Sequence, residues 1–275
     1  MNTNYASKWM IRAFLMIFVI LVVFPILFVL VTSLKTTSEF YQNVWALPKS
    51  PAWENYIYAW KTAKIGEYFL TSVITVCSVV ICTLLIGALA GYALARMNLP
   101  GADILVLVIF LLSMLPSESI LMPAYLIISK MRLTGTYASL IIPYISWYLP
   151  LCIYIYRNFF ATVPQEIIEA ARIDGCQEFR IFTRIMLPVV RPATITNAIF
   201  IFLGCWGEML WASVELSSSA LKTLPLGITA FVQSSGTDWG PLCAATSIIL
   251  IPVVVFFFVA QKYMISGLTG GAVKG

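Results

Sequence analysis

PQEIIEAARIDGCQEFRIFTRIMLPVVRP, residues 164–192, is the one long polar island in a chain of otherwise oily segments. It carries four acids (Glu166, Glu169, Asp174, Glu178) and four arginines (Arg172, Arg180, Arg184, Arg191). A patch this polar cannot sit in lipid, so it lies in water between two membrane spans. Pro164 suits the first turn of a helix and Gly175 its end. The spacing predicts a helix near Gln165–Asp174, a glycine break, a second helix near Gln177–Met186, and a stop at Pro188. A plain connector needs only a few residues; one of this length is expected to dock onto something.

Outward from the island the chain is apolar. Of 275 residues, 60% are hydrophobic and 11% charged, against about 25% charged in a soluble domain. That composition makes an integral membrane protein. About 20 apolar residues cross a bilayer, and six segments qualify. They are Met10–Thr32, a run within Tyr68–Ala95, Ile104–Ile128 (interrupted by Pro116, Glu118 and Pro123), a run within Leu133–Tyr156, Ala193–Ser213, and Leu242–Ile265. The first follows Lys8 and Arg12 like a signal peptide. It is too long for one and no clean cleavage site follows, so an uncleaved helix is expected. Residues 33–67 read as an external loop with interfacial tryptophans, and residues 214–240 as a second one. Gly87 and Gly91 form a small-xxx-small pair that permits close helix packing.

The absence of histidine excludes His-based catalysis and His metal sites, and no metal site is expected. Six cysteines are scattered without a CxxC, five of them in apolar runs where Cys behaves as a small hydrophobe. No GxSxG or HExxH is present, so the chain is not expected to be an enzyme. The net charge of +5 needs no nucleic acid; in a membrane protein surplus Lys and Arg set topology. With both termini and the island inside, ten Lys and Arg face the cytosol and seven face out, a weak positive-inside balance. Glu118 and Glu208 are the acids inside predicted spans. A charge in hydrocarbon costs at least about 2.5 kcal/mol, so each is expected to face a wet cavity, a partner helix or the outer headgroup layer.

Within the island, Glu169-Ala170-Ala171, three residues, Gly175, nine residues, Ile185, one residue and Leu187-Pro188 resembles the EAA loop. That loop marks the membrane subunits of binding-protein-dependent ABC importers. Asp174 before the glycine and Pro192 after it are similar to the carbohydrate branch. RMNLPGAD at 96–103 resembles that family's ARM-x-hydrophobic-PG turn, and GLTGGAVKG at 267–275 resembles the tail of maltose-type permeases.

The resemblance implies an all-α, polytopic protein of six transmembrane helices with a cytosolic coupling helix. It is a single permease domain over 1–275, with its core about 68–265, a coupling loop at 159–192 and a tail at 266–275. It implies ATPase contact by Glu169, Ala170, Ala171, Asp174, Gly175, Ile185, Leu187 and Pro188, with Ala170 and Ala171 as the close-contact surface. The tail, through Gly270, Gly271 and Lys274, is implied to reach between ATPase subunits. Glu118, Tyr125, Tyr144, Trp147, Trp206 and Glu208 are candidates for the translocation path, where aromatics stack on sugar rings; interfacial or core packing is the alternative for each. At Trp206-Gly207-Glu208, Gly207 departs from the family's usual asparagine.

The expected function is the permease of an ATP-driven importer for a di- or oligosaccharide, working by alternating access. The expected partners are two ATPase subunits carrying ATP and Mg, a second homologous permease, an extracytoplasmic binding protein and membrane lipid. No cofactor is expected on this chain, which lacks GxxxxGK[ST]. The location is a bacterial or archaeal cytoplasmic membrane. Glycerol phosphate esters or polyols are alternative substrates, and a stand-alone secondary transporter is an alternative class.

Overall fold

The structure is a computed structural model that describes residues 5–97, 99–217, 220–233 and 236–272. In chain order the helices are α1 (Tyr5–Ser33), α2 (Thr37–Gln42), α3 (Glu54–Ile57), α4 (Ile65–Arg96), α5 (Ala102–Leu112), α6 (Ser117–Lys130), α7 (Tyr137–Thr162), α8 (Gln165–Ile173) and α9 (Glu178–Ile181). A π turn at Phe182–Met186 leads to α10 (Leu187–Val189), then α11 (Arg191–Trp206), α12 (Leu210–Glu215), α13 (Leu224–Ile228) and α14 (Trp239–Ala272). A two-residue antiparallel ribbon pairs β1 (Val232–Gln233) with β2 (Gly236–Thr237), a small exception to an otherwise helical chain among the described residues.

Four helices are each long and apolar enough to cross a bilayer, and the number rises to six if two bent pairs are single spans. α5 and α6 meet at 95° across residues 113–116, where Pro116 enters α6 with extended backbone. The third expected span is therefore broken. α11 has only 16 residues, about 24 Å at 1.5 Å per residue. It ends at Trp206 rather than running to Ser213, because Gly207–Met209 interrupts it before α12. The fourth expected span, placed within Leu133–Tyr156, runs on to Thr162.

The described chain divides into two compact units. In the first (1–67 with 227–252), residues 33–67 are folded rather than a loose loop. Lys35 is 1% exposed; its Nζ donates to the carbonyls of Val44 at 2.7 Å and Asn43 at 3.4 Å. It is thus an internal brace, not the free outer charge assumed in the orientation count. Asn55 Nδ2 donates to the carbonyls of Ser33 and Lys35 at 2.8 and 2.7 Å. A Cβ at Gly240 would stand 2.4 Å from the Lys35 carbonyl, so only glycine fits there. Thr36 and Glu39 form a capping box on α2.

In the second unit (68–226 with 253–275), α4 packs directly on α7. A Cβ at Gly87 would lie 2.5 Å from Cys152 Sγ, and one at Gly91 2.6 Å from Tyr156 Cβ and 3.0 Å from the Arg157 nitrogen. Small residues let two backbones meet. α7 contains Pro143 and Pro150. A proline cannot donate to the carbonyl four residues back, and the carbonyl that Pro143 frees is that of Ser139. The indole Nε1 of Trp211 takes it at 2.9 Å. α11 joins α7 through Tyr156, whose hydroxyl donates to Thr194 Oγ1 at 2.9 Å, and through Asn197, whose Nδ2 donates to the Cys152 carbonyl at 3.4 Å. The most buried acid is Glu215 at the end of α12, which sequence reading assigned to an outer loop.

Candidate functional site

The polar island begins where Pro164, with extended backbone, starts α8. Ile168 and Ala171 are buried, while Glu166, Glu169, Ala170, Arg172 and Ile173 are exposed. Three-residue spacing puts the buried pair on one helical face. Ala171, at 6% exposure, is therefore turned into the protein. This corrects the expectation that both alanines form a contact surface; Ala170 and Glu169 stand outward.

The helix ends in a Schellman motif. Cys176 N–H donates to the Ala171 carbonyl at 2.9 Å and Gly175 N–H to that of Arg172 at 3.0 Å, with Gly175 at φ +77°. Asp174 is the exposed C-cap just before it. Ile173 is 86% and Phe179 71% exposed, leaving apolar side chains beside the outward acids.

Beyond the turn, Pro188 does not stop the helix. The chain widens into the π turn at 182–186 and continues to Val189. Pro188 would clash with the carbonyl of Arg184 in a regular helix, and a π turn is a known way to accommodate such a break. The corner lies instead at Val190, where the axis turns by 74° into α11. Ile185 and Leu187 are half-buried and Pro188 is exposed.

α8 is held at both ends by α4. Arg96 Nε donates to the Phe160 carbonyl at 3.1 Å, Nη2 reaches the carbonyls of Phe160 and Val163, and Nη1 donates to Gln165 Oε1 at 3.1 Å. One turn earlier, Tyr92 donates its hydroxyl to Glu178 Oε2 at 3.2 Å, while Arg172 Nε donates to Glu178 Oε1 at 2.6 Å. That hydrogen bond to Arg172 holds the Glu178 carboxyl below its usual range. The Tyr92 ring packs edge-on against Phe160 at 5.5 Å and beside Phe182 at 5.2 Å.

A cleft of about 550 Å³ opens in the second unit among α5, α6, α7 and α12. Of the six path candidates, Trp147 and Glu208 line it. Glu208 is a cap rather than a free charge. Its Oε1 accepts from Trp211 N–H at 2.8 Å, and its Oε2 accepts from Ala212 N–H at 3.2 Å and from the Tyr144 hydroxyl. Tyr144 is buried behind it. Trp206 is buried, with Phe69 edge-on at 5.9 Å and Phe202 stacked at 5.5 Å. Glu118 is exposed in the first turn of α6, where the helix dipole favours an acid. Tyr125 is half-buried on α6 and off the lining. So Glu118, Tyr125, Tyr144 and Trp206 do not face this cleft. Tyr148, Trp211, Ser113, Ser117 and Ser146 do, and sequence reading missed them because neither charge nor spacing marks them. Tyr92 and Arg96 were also missed, although an arginine closing a long apolar run was a visible signal.

The backbone of α14 continues as helix through Gly270 and Gly271 to Ala272; Lys274 lies outside the described residues.

Residues 83–269 match the family model described as the binding-protein-dependent transport system inner membrane component. The chain is 32% identical over 271 residues to a probable ABC transporter permease protein, YurM, of Bacillus subtilis (strain 168), covering 98% of this chain and 90% of that one. It is 32% identical to the arabinooligosaccharides transport system permease protein AraQ of Halalkalibacterium halodurans, covering 100% and 99%. It is 34% identical to the diacetylchitobiose uptake system permease protein NgcG of Streptomyces coelicolor, covering 96% and 88%. In fold it is similar, at a TM-score of 0.80 and 19% identity over 96% and 99% of the two chains, to a chain of a bacterial ABC transporter involved in the import of the acidic polysaccharide alginate.

Proposed function

The chain belongs to the family of binding-protein-dependent transport system inner membrane components, as a multi-pass permease subunit of an ABC importer, and from that premise we propose that it carries a di- or oligosaccharide. Subunits of this family are not themselves catalytic; the energy comes from ATP on partner ATPase subunits. Similarity over nearly the whole chain to permeases named for arabinooligosaccharides and diacetylchitobiose supports the substrate class.

The observation that carries the mechanism is the outward face of α8. Glu169 and Ala170 are exposed there, flanked by exposed Ile173 and Phe179, on a helix closed by a left-handed glycine. An acid beside exposed apolar side chains suits a protein partner, and the family assigns that partner as the ATPase. Residues 164–192 then face the cytosol, as do both termini. Closure of two ATPase subunits around ATP moves α8, and the spans alternate between inward- and outward-facing states. A second, homologous permease completes the path, and an extracytoplasmic binding protein delivers the sugar. The tail, from Gly270 onward, reaches the ATPase interface. The cleft beside Trp147, a half-buried ring backed by the buried Trp211 at 5.4 Å, offers flat apolar surface to a sugar's C–H face. Tyr148 adds a hydroxyl, while Glu208 holds the wall in place.

The test uses the purified complex with its ATPase and binding protein. The binding protein is screened by thermal shift against a panel of di- and oligosaccharides, polyols and glycerol phosphate esters. ATP hydrolysis by the membrane-embedded complex is then measured with and without the ligand found. A sugar that stabilises the binding protein and stimulates hydrolysis is expected. Stabilisation by a polyol or phosphate ester alone moves the substrate class. Uptake that persists without any ATPase subunit defeats the reading.

A further inference from the structure

We propose that α4 is a third strut of the coupling loop, and that Arg96 and Tyr92 are positioning residues through which movement of α8 reaches it. The proposal rests on the reading of residues 164–192 as the ATPase dock.

Covalently, the loop is joined only to α7 through Val163-Pro164 and to α11 through Val190. If those two joints alone carried force, α4 would need no polar bond to the loop. It has two. α4 has 32 residues, about 48 Å of helix against a hydrocarbon layer of about 30 Å, so its last turns stand beyond the lipid. There Tyr92 and Arg96, four residues apart, share one face.

Arg96 holds the near end of α8. A helix end leaves its last carbonyls without helical partners, and the negative end of its dipole attracts a cation. The guanidinium meets both needs at the end of α7, bonding the Phe160 and Val163 carbonyls, and its remaining arm reaches Gln165, the first residue of α8. The planar fork of arginine spans three acceptors at once; a lysine cannot. Tyr92 holds the far end. Its hydroxyl bonds Glu178, which bonds Arg172 on the last turn of α8.

Packing makes these bonds stiff. Tyr92, Phe160 and Phe182 join α4, α7 and the π turn in one ring cluster, and Gly91 lets the α7 backbone approach α4. Close-packed interiors shift between discrete arrangements rather than deforming smoothly. A rotation of α8 therefore moves α4 with it as long as both bonds hold, and the Gly87–Gly91 contact passes that motion along α7.

The test places spin labels at Met97→Cys, just past α4, and Glu166→Cys, on the exposed side of α8, with the native cysteines changed to serine. The protein is assembled with its ATPase subunits. The Glu166 label should become immobile when the ATPase is added; if it stays mobile, the docking reading itself fails. The distance between the two labels is then measured without nucleotide and with trapped ATP. With Arg96 and Tyr92 in place it should not change. In R96A, and in the R96A/Y92F pair, ATP should alter it by about 2 Å or more, the scale of helix shifts in switching proteins. R96K should fall between. A merely structural role would change the distance equally with and without ATP. An unmodified protein whose distance changes on ATP, or an R96A/Y92F pair whose distance does not, overturns the proposal. If R96A does not assemble, Y92F, which removes one hydroxyl and keeps the ring cluster, carries the test by the same criterion.

Discussion

The indole of Trp211 donates to the main-chain carbonyl of Ser139 at 2.9 Å, the carbonyl that Pro143 leaves without a helical donor. Trp211 is 1% exposed and Ser139 fully buried, so the bond forms away from water and ties α12 to α7. A buried carbonyl stripped of its partner costs about 1–3 kcal/mol. Trp211→Phe should lower the thermal unfolding midpoint accordingly. Pro143→Ala restores a helical donor to the same carbonyl. In that background Trp211→Phe should cost less, by at least about 0.5 kcal/mol, the scale of coupled neighbours. Equal cost in both backgrounds would separate the tryptophan from the proline.

Gly91 and Gly207 make a matched pair of opposites. A methyl at Gly91 meets Tyr156 Cβ at 2.6 Å and a backbone nitrogen at 3.0 Å, whereas one at Gly207 finds nothing nearer than 3.9 Å. Gly207 also has an ordinary φ of −92°. Gly91→Ala should destabilise by about 1–3 kcal/mol, as overpacking does. Gly207→Ala should be close to neutral. Unfolding in detergent monitored by tryptophan fluorescence compares the two directly.

Gly175 differs from both, since open space surrounds it but its φ is +77°. Only the backbone objects to a side chain there, at about 1–2 kcal/mol for an ordinary L residue. Gly175→Val should remove the Schellman turn and reduce uptake by about tenfold or more, given that cost and the β-branch. Membrane insertion should stay intact. Gly175→Asn, which tolerates the left-handed region, should retain uptake. A Val variant with normal uptake would argue against the loop's role.

Glu178 gives the loop an acid limit. Its carboxyl is held below the usual 4.5 by the hydrogen bond from Arg172. A lowered carboxylate pKa contributes stability above the unfolded value and loses it as pH falls through the folded one. The contribution is therefore full at pH 7 and fades below pH 4.5. Both side chains are about half exposed, so the effect is small and salt-sensitive. Glu178→Gln should lower the melting temperature slightly at neutral pH, and the difference from the unmodified protein should vanish in acid. A difference that persists in acid would place the effect elsewhere.

Much of the loop was legible as sequence because its causes are local. Pro164 and Gly175 bracket α8 through backbone preference alone, and six apolar segments announce themselves by length. Legibility ended where two distant residues meet. Pro188 looked like a stop, yet the chain widened into a π turn and carried the corner to Val190. Ala171 looked like a contact surface, yet the buried face of α8 runs through it and Ile168. Glu208 read only as an acid within a span, yet besides lining the cleft its carboxylate accepts from Tyr144 and from two amides of α12.

The chain alone determined a helical membrane protein with one long polar island, because apolar length and charge are carried by consecutive residues. Tertiary structure alone decided which helix bonds that island. Tyr92 and Glu178 lie 86 positions apart, and Arg96 and Gln165 lie 69 apart. No periodicity links such pairs; only the close approach of α4 and α7 at Gly87 and Gly91 brings a guanidinium within reach of a helix end that lacks donors.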